Sequence, residues 1–544
     1  MKYLKFIFLS LITIIILAVL LLAFRFGTDG NNPYDNKIEN GITPKFSEVL
    51  IDFNQQHNGK KSLPVIASSL IDINNDGVDE IFFGGGFDQQ DQLFQYKKNA
   101  FTSISKKVNL PQKSNLTTLA SASADFDNNG FSDLIISRED GITIYYNTQG
   151  VFTPKKVKYN LADDATPLGF ALGDIDKDGD IDIFVSNYIR KEQMQGQNNF
   201  TKGYGPISQL LINNGDNTFT DSTQNSGLAY NHNTFMGIFV DIDNDSWLDL
   251  IVAHDTGEVR TYKNNADGTF KMITNPTTDK YGYPMGIAVG DYNNDGQVDF
   301  MFSNTGTTAP HFLARGDVDE SEFNSDWIFF ENKGNFVFED AADKVKVADF
   351  EFSWGAAMAD MNNDGLQELI VAENYVEFPP HKLFKLPGRF LTQKEDHTFV
   401  ATEQESGVVN KHFAITPLIS DFNLDGYQDL VWVNISGPAK VFLNKGGDNN
   451  YLQLTFLENA KNIGAKIIVT TTSGKTITED YIIGEGLVSD QSATIHIGLG
   501  KDNIKSTQIH YTDGTIQNLE SIKINSRSIV PKLIEVLEKA EELK

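Results

Sequence analysis

Residues 291–302 read DYNNDGQVDFMF, an acidic nine-residue loop running into a short apolar stretch. The same pattern, D-x-[DN]-x-[DN]-[GS]-x-x-[DE], occurs seven times, starting at Asp72, Asp125, Asp174, Asp241, Asp291, Asp360 and Asp421. The starts lie 53, 49, 67, 50, 69 and 61 residues apart. That period is slightly longer than one four-stranded propeller blade, and the wider gaps fit loop insertions on a common unit. The fold class expected is all-β: a seven-bladed β-propeller, a small C-terminal β domain and one N-terminal transmembrane helix.

Oxygen ligands at positions 1, 3 and 5 of a tight loop converge on one point, and Gly at position 6 permits the sharp turn. Position 7 offers its backbone carbonyl, and position 9 closes the shell with a carboxylate. The candidate metal ligands are therefore Asp72, Asn74, Asp76, Val78 and Glu80; Asp125, Asp127, Asn129, Phe131 and Asp133; Asp174, Asp176, Asp178, Asp180 and Asp182; Asp241, Asp243, Asp245, Trp247 and Asp249. The remaining loops supply Asp291, Asn293, Asp295, Gln297 and Asp299; Asp360, Asn362, Asp364, Leu366 and Glu368; Asp421, Asn423, Asp425, Tyr427 and Asp429. An all-oxygen, flexible ligand set suits Ca²⁺ better than Mg²⁺, and metals that favour thiolate or imidazole find no Cys or His here. Up to seven Ca²⁺ are expected, one per loop. Ser246 replaces the turn Gly in one loop, and Asn129 replaces a position-5 Asp in another, which predicts weaker binding at the Asp125 loop.

An EF-hand would need a bidentate Glu at position 12. Phe83, Ile136, Val185, Val252, Phe302, Val371 and Trp432 stand there instead. Positions 10 to 12 are apolar in every copy, which reads as a strand buried on both faces. The preceding segments carry small residues, such as Gly286, Ala288 and Gly290 or Gly355, Ala356, Ala357 and Ala359, suited to innermost strands crowded around an axis. Downstream, apolar runs ending in Asn/Gly turns, as at 144, 210, 262, 329 and 441, signal hairpins. Closing the ring needs one strand from outside this order: FSEVLIDF at 46 is the natural candidate and Tyr451 to Leu457 its competitor.

Lys plus Arg number 45 against 73 Asp plus Glu, a formal charge of −28 that repels phosphate backbones, so no nucleic-acid partner is expected. The four side-chain ligand positions hold 23 carboxylates, and seven Ca²⁺ would bring −28 to −14. With no Cys, disulfides, zinc-thiolate sites and thiol nucleophiles are excluded. Residues 6–24, FIFLSLITIIILAVLLLAF, are long enough to cross a bilayer. Lys2 and Lys5 precede that stretch and no small-residue cleavage site follows it, which favours an uncleaved signal anchor with a cytoplasmic N-terminus over secretion after cleavage. The bulk of the chain is then exported. The expected divisions are 1–26 anchor, 27–45 tether, 46–448 propeller, 449–530 β domain and 531–544 helix.

These loops resemble the FG-GAP or VCBS repeats of integrin-like propellers over residues 46–448. NIGAKIIV at 462, GEGLVSDQ at 484, HIGLG at 496 and HYTDGTIQNL at 510 look like the ASPIC/UnbV domain that follows such a propeller in the cartilage acidic protein family, and SWGAAMADMNNDG at 353 looks typical of its late blade. Tyr511, Thr512, Asp513 and Gly514 depart from that family's W-P-S-G, and Ile497 replaces the Phe of its F-G-L-G. The resemblance is to a bacterial-type member, since no EGF-like module follows.

No H-E-x-x-H, G-x-S-x-G, Walker or dinucleotide motif is present, so no catalytic residue is assigned. His232 and His254 near the Asp241 loop, the insertion 189–206 and the tripeptide Arg315-Gly316-Asp317 are candidate surface features; Asn115, Asn199 and Asn434 fit N-x-[ST]. The expected function is a Ca²⁺-binding, membrane-tethered module for adhesion or scaffolding, with an extracytoplasmic protein or glycan as partner. The alternative is a polysaccharide-active enzyme with its site at the mouth of the propeller channel.

Overall fold

The apolar triplets after each acidic loop form strands with no exposed face: Ile81, Phe82 and Phe83 are wholly buried, as are Phe300, Met301 and Phe302. Each is the second strand of a four-stranded antiparallel sheet in a computed structural model that describes residues 8–18, 43–111, 114–194, 199–200, 203–306, 315–316, 318–376 and 385–530. Seven such sheets follow one another in sequence. Sheet 1 comprises Ser68–Ile71, Glu80–Phe83, Gln92–Lys97 and Ala100–Ser103, with Ser489–Asp490 added in parallel beside the first as a fifth strand, and sheet 2 Ala120–Ala124, Asp133–Arg138, Gly141–Asn147 and Phe152–Lys156. Sheets 3 to 6 begin with Ala165–Gly173, Thr234–Val240, Ile287–Gly290 and Ser353–Ala359. Sheet 7 is assembled from Phe413–Ser420, Asp429–Ile435, Lys440–Asn444 and, as outermost strand, Phe46–Val49, paired from Phe46↔Asn444 to Val49↔Val441. The N-terminal strand thus completes the last sheet. The competitor for that place lies elsewhere: Asn450–Thr455 is the central strand of a three-stranded C-terminal sheet, flanked by Thr494–Gly500 and Ser526–Ile529. A four-stranded sheet of Thr476–Asp480, Lys466–Thr471, Ile504–His510 and Ile516–Leu519 completes the C-terminal domain.

The acidic loops always join the first strand to the second, so all seven emerge at one edge. The second strands of sheets 3, 5 and 6 end at the opposite edge, where the described residues 190–194, 303–306 and 374–376 leave them. Small residues on first strands are required by neighbouring backbone. A Cβ on Gly286 would lie 2.4 Å from Trp354 O, and one on Gly355 2.7 Å from Ile415 O.

Neighbouring sheets are latched by one repeated hydrogen bond. The Asn that ends the third strand reaches the carbonyl of loop position 2 in the preceding sheet: Asn147 Nδ2 to Ile73 O (2.9 Å), Asn264 to Ile175 (2.9 Å), Asn332 to Ile242 (3.0 Å) and Asn444 to Met361 (2.8 Å). Gln393 does the same to Tyr292 O at 2.8 Å. The Asn/Gly turns of the sequence are therefore inter-sheet contacts as well as hairpin signals. Between sheets 7 and 1 aromatic packing of Phe101 on Phe422, 5.4 Å between ring centroids, joins a Ser420–Asp79 hydrogen bond of 2.5 Å.

Among the described residues no helix is long and apolar enough to cross a membrane. Residues 8–18 are helical and exposed; the rest of the expected 6–24 span, most of the tether and the expected helix at 531–544 lie outside the described residues.

Asn264→Ala removes the side-chain donor to Ile175 O and to Leu248 O, which should lower unfolding free energy by about 1–3 kcal/mol. Asn265→Ala, an exposed neighbour in the same hairpin, should change it by less than about 0.5 kcal/mol; equal losses in denaturant titrations would refute the latch.

Candidate functional site

Each acidic loop is wound around its first carboxylate. One oxygen of position 1 accepts the position-5 N–H and the other the position-6 N–H, as at Asp125 (Asn129 N 3.0 Å, Gly130 N 2.9 Å) and Asp291 (Asp295 N 2.9 Å, Gly296 N 2.8 Å). The winding needs left-handed backbone at position 4, where φ is between 55° and 62° at Asn75, Asn128, Lys177, Asn244, Asn294, Asn363 and Leu424. It needs it again at position 6, which is Gly except for Ser246 at φ 70°. Position 5 accepts the position-7 N–H, for example Val78 N to Asp76 Oδ1 at 3.0 Å and Leu366 N to Asp364 Oδ1 at 2.9 Å. That leaves the second carboxylate oxygen of position 5 unspent by the turn.

Position 9 returns to the same point from the second strand. In the Asp125, Asp174 and Asp241 loops the oxygens of positions 1, 3 and 9, namely Asp125, Asp127 and Asp133, Asp174, Asp176 and Asp182, and Asp241, Asp243 and Asp249, lie within 4.8 Å of one another. In the other four loops position 3 is Asn74, Asn293, Asn362 or Asn423, which offers an amide oxygen in place of a carboxylate. Burial pushes Asp72, Asp125, Asp174 and Asp241 up to about 6, and Glu80, Asp133, Asp182 and Asp249 up to about 8, against backbone N–H donors that pull them down. Buried oxygen donors that repel one another and converge within one coordination radius can hold a metal ion.

The loops are not equivalent. Asn129 accepts the Phe131 N–H at 2.9 Å but turns its amide nitrogen to Asn147 O at 2.9 Å, so its loop lacks the free position-5 oxygen of an Asp. In the Asp241 loop the Lys263 ammonium bridges Asp243 and Asp245. The Asp421 loop is closed by the C-terminal domain: Gln453 Nε2 donates to Asp421 Oδ2 at 2.9 Å, and Arg527 Nη2 stands 3.6 Å from the same oxygen while Nη1 donates to Gly77 O of the Asp72 loop. The Asp360 loop is sealed as well, by His496 against Asn363 (2.6 Å), Lys475 on Gly365 O (2.8 Å) and Asn449 on Asn362 O (3.0 Å).

The C-terminal domain also fills the axis. Residues 484–491, GEGLVSDQ, touch the first strands of six sheets and pass beside that of sheet 4. Ser489 and Asp490 pair in parallel with Ser68 and Ser69, and Ser121 N donates to Val488 O at 3.3 Å. A Cβ on Gly484 would lie 2.7 Å from Phe170 O of sheet 3 and 4.0 Å from Gly237 O of sheet 4. Gly486 and Ile287 exchange two backbone hydrogen bonds of 2.9 Å. Glu485 Oε1 accepts from Val289 N and Met358 N, both at 3.1 Å, and Gln491 Oε1 accepts from Ile419 N at 3.0 Å. Ile287 lies four residues before its acidic loop, so the segment enters about 13 Å from that edge. Beside it a cavity of about 80 Å³ is lined by Asp360, Gln367, Glu479, Glu485 and His496. Its contacts reach as far as Ser68 and Ser69, 421 residues earlier in the chain, beyond what local sequence pattern can show.

Other expected features fall apart from the loops. Thr234 pairs with His254 at the end of the sheet 4 hairpin remote from Asp241, which corrects the placement of His232 and His254 near that loop. Both are buried, with His232 Nε2 3.0 Å from Asp255 O and His254 Nδ1 3.0 Å from Thr234 Oγ1, and burial lowers both. Arg315–Gly316 pairs in parallel with Asn199–Phe200 of the 189–206 insertion; Asp317 lies outside the described residues. Asn434 is buried and donates to Pro438 O at 2.7 Å, so it is not a surface acceptor.

Two consequences are measurable. Gly486 has φ 110° and a Cβ there would meet Ser489 Oγ at 2.3 Å and Thr416 Oγ1 at 2.5 Å, so Gly486→Ala should expel the plug and raise protease sensitivity at 482–492. Unchanged cleavage would refute the plug as a tight fit. Burial raises Glu485 to about 8. A folded state that keeps this proton through the range above about pH 4.3 loses stability as pH rises toward 8. Glu485→Gln keeps the Oε1 acceptor without the charge, so its stability relative to wild type should increase from pH 6 to pH 8, by at most about 1.4 kcal/mol per pH unit. A pH-independent difference in paired thermal melts would contradict this.

Among known protein families, the FG-GAP-like repeat matches residues 72–136, 125–185 and 241–302, and ASPIC and UnbV matches residues 457–533. The chain is similar to cartilage acidic protein 1 of Xenopus tropicalis, 26% identical over 297 residues, and of Homo sapiens, 25% over 302; each match covers 51% of this chain and 41% of the relative. The chain therefore spans about two fifths of the length of these relatives. Similar solved structures include YCF48 bound to D1 peptide (TM-score 0.42, 9% identity, 76% of this chain and 99% of that one) and BBS1N in complex with ARL6DN (0.41, 11%, 74% and 97%). Rhamnogalacturonan lyase YesW follows (0.39, 12%, 73% and 75%). At these scores the structural likeness carries no functional weight. The repeats, the domain that follows them and the curated relatives agree: the chain carries FG-GAP-like repeats followed by an ASPIC and UnbV domain and is similar to cartilage acidic protein 1.

Proposed function

We propose that the seven sheets are the blades of one closed propeller that binds Ca²⁺ in its acidic loops and serves outside the cytoplasm as a binding or scaffolding module. The observation that carries this is the repeated convergence of buried carboxylates in loops of one geometry. Ca²⁺ supplies the charge that these oxygens lack and ties each loop to its second strand. In the Asp125 and Asp174 loops, positions 1, 3 and 9 would hold it; in the others an Asn oxygen takes the place of the position-3 carboxylate or, at Asp241, a lysine already sits in the loop.

The acidic edge is occupied by the C-terminal domain, and the chain leaves the second strands of sheets 3, 5 and 6 at the opposite edge. That opposite edge is the surface we assign to a protein or glycan partner, since binding residues concentrate on loops carried by a rigid scaffold. The apolar stretch 6–24 would tether the module to a membrane with its bulk exported, or be removed on secretion. The alternative, a polysaccharide-active site at the channel mouth, meets a plug that enters from the acidic edge and touches six of the seven blades. Only the opposite mouth would be left for such a site.

The test is thermal unfolding of the purified chain titrated with Ca²⁺, with Mg²⁺ and chelator controls, and bound metal counted on the native protein. Sites filled at a hundred times their Kd should each add about 2.7 kcal/mol to stability, and Asp174→Asn should bind one ion fewer. Absence of both a shift and bound metal would refute the calcium reading. Turnover of a polysaccharide panel by the same preparation would favour the enzyme.

A further inference from the structure

The Asp241 loop carries the full set of four carboxylates, as the Asp174 loop does, yet the two differ in what faces them. One residue before the latch Asn of the third strand, sheet 4 has Lys263. The same register position holds Gln95, Tyr146, Ile212, Glu331, Thr392 and Leu443 in the other sheets, none of them cationic. The Lys263 ammonium donates to Asp243 Oδ2 and, at 2.6 Å, to Asp245 Oδ2, which are positions 3 and 5 of the loop. The oxygens of Asp241, Asp243 and Asp249 converge within 4.8 Å beside it. The same loop is also the one whose turn glycine is replaced, by Ser246.

We propose that Lys263 is a built-in cation of the Asp241 loop, holding the place that a divalent ion takes in the other loops. This rests on the reading that the acidic loops take Ca²⁺. An ammonium has three donors and no acceptor, so it neutralises part of the carboxylate charge and satisfies their oxygens at once. Being tethered, it competes as if present at millimolar concentration or above. A metal ion entering this loop must displace it and forfeit both contacts. Ile212 stands at the equivalent point beside the Asp174 loop and offers no such competitor. The chain then loads metal in at most six of its seven loops, and the fourth keeps its shape in chelator.

Trp247 at position 7 reports on this loop directly, because Tb³⁺ in a Ca²⁺ site emits when a nearby indole is excited. Among the 4 Trp of the chain it is the one inside an acidic loop. Because the Trp247 ring also stacks on Lys177 of the Asp174 loop, 3.9 Å from its ammonium, Tb³⁺ emission under Trp-selective excitation is read in an Asp174→Asn background, where it should be insensitive to Trp247→Phe while Lys263 is present. In Lys263→Met and Lys263→Gln it should rise and then depend on Trp247, and each variant should hold one more Ca²⁺ by elemental analysis. The Asp174→Asn change should remove one ion in either background. A chain with Asp174→Asn and an intact Lys263 whose emission already falls with Trp247→Phe overturns the proposal, as does a nonzero ion count unaltered by both Lys263 variants. If no variant binds any ion, the calcium reading fails and this inference fails with it.

Discussion

The rest of the structure hangs on the carboxylate at loop position 9. One of its oxygens accepts the N–H of loop position 2, as Asp249 does from Ile242 at 3.0 Å, and the other accepts the N–H of the third-strand Asn, here Asn264 at 2.8 Å. That Asn then crosses to the preceding sheet through its side chain. One acid therefore fixes the loop on its strand pair, the third strand on the second, and the sheet on its neighbour. Asp133 and Asp429 repeat the arrangement, Asp133 with 3.0 Å to Phe126 and 2.6 Å to Asn147, Asp429 with 3.0 Å to Phe422 and 2.7 Å to Asn444. A group placed this way is out of reach of bulk water and feels positions 1 and 3 at close range. The geometry that joins the sheets is the same geometry that makes a cation favourable there.

The axis poses the opposite problem. First strands made narrow by Gly286 and Gly355 bring backbones close but leave polar groups directed at the middle, and a buried N–H without a partner costs about 1–3 kcal/mol. The plug answers this from one short segment: Glu485 serves two sheets, Gln491 a third, Gly486 pairs as a strand would. Left-handed backbone at Gly484 and Gly486 lets the segment reverse in a space that admits no Cβ. Scaffold and domain are consequently one body along the axis.

How much of this the sequence discloses depends on the range of the interaction. The loops, the second strands and the closing role of Phe46–Val49 follow from local pattern and count, and the structure places them as that pattern expects. Asn147, Asn264, Asn332 and Asn444 are visible too, but as turn residues; that they bridge sheets depends on a partner 74 to 90 residues earlier in the chain. Lys263 and Arg527 are ordinary surface cations until register sets them on Asp243 and Asp421. His232 and His254 mislead for the reverse reason, since nearness to Asp241 in sequence is undone by a hairpin that carries them to its far end.

Two sets of buried acids, raised by the same desolvation, are resolved by different means. Glu485 and Asp490 in the plug each spend oxygens on separate donors. Asp490 takes the Gly484 and Gln491 N–H groups on one oxygen and the Ser123 N–H and hydroxyl on the other; burial still raises it to about 7. For such groups a proton is a sufficient remedy, because these oxygens are taken by N–H and hydroxyl donors and do not converge on one point. At the loops three or four oxygens share one point, and protonating each in turn would remove the acceptors that hold the turn together. A divalent ion neutralises them jointly and keeps every N–H contact. The Lys263 ammonium is the covalent version of that remedy, with one charge where the ion brings two. The excess of 73 acids over 45 bases is thus sorted by geometry: convergent acids call for a cation, and separately bonded ones for a proton.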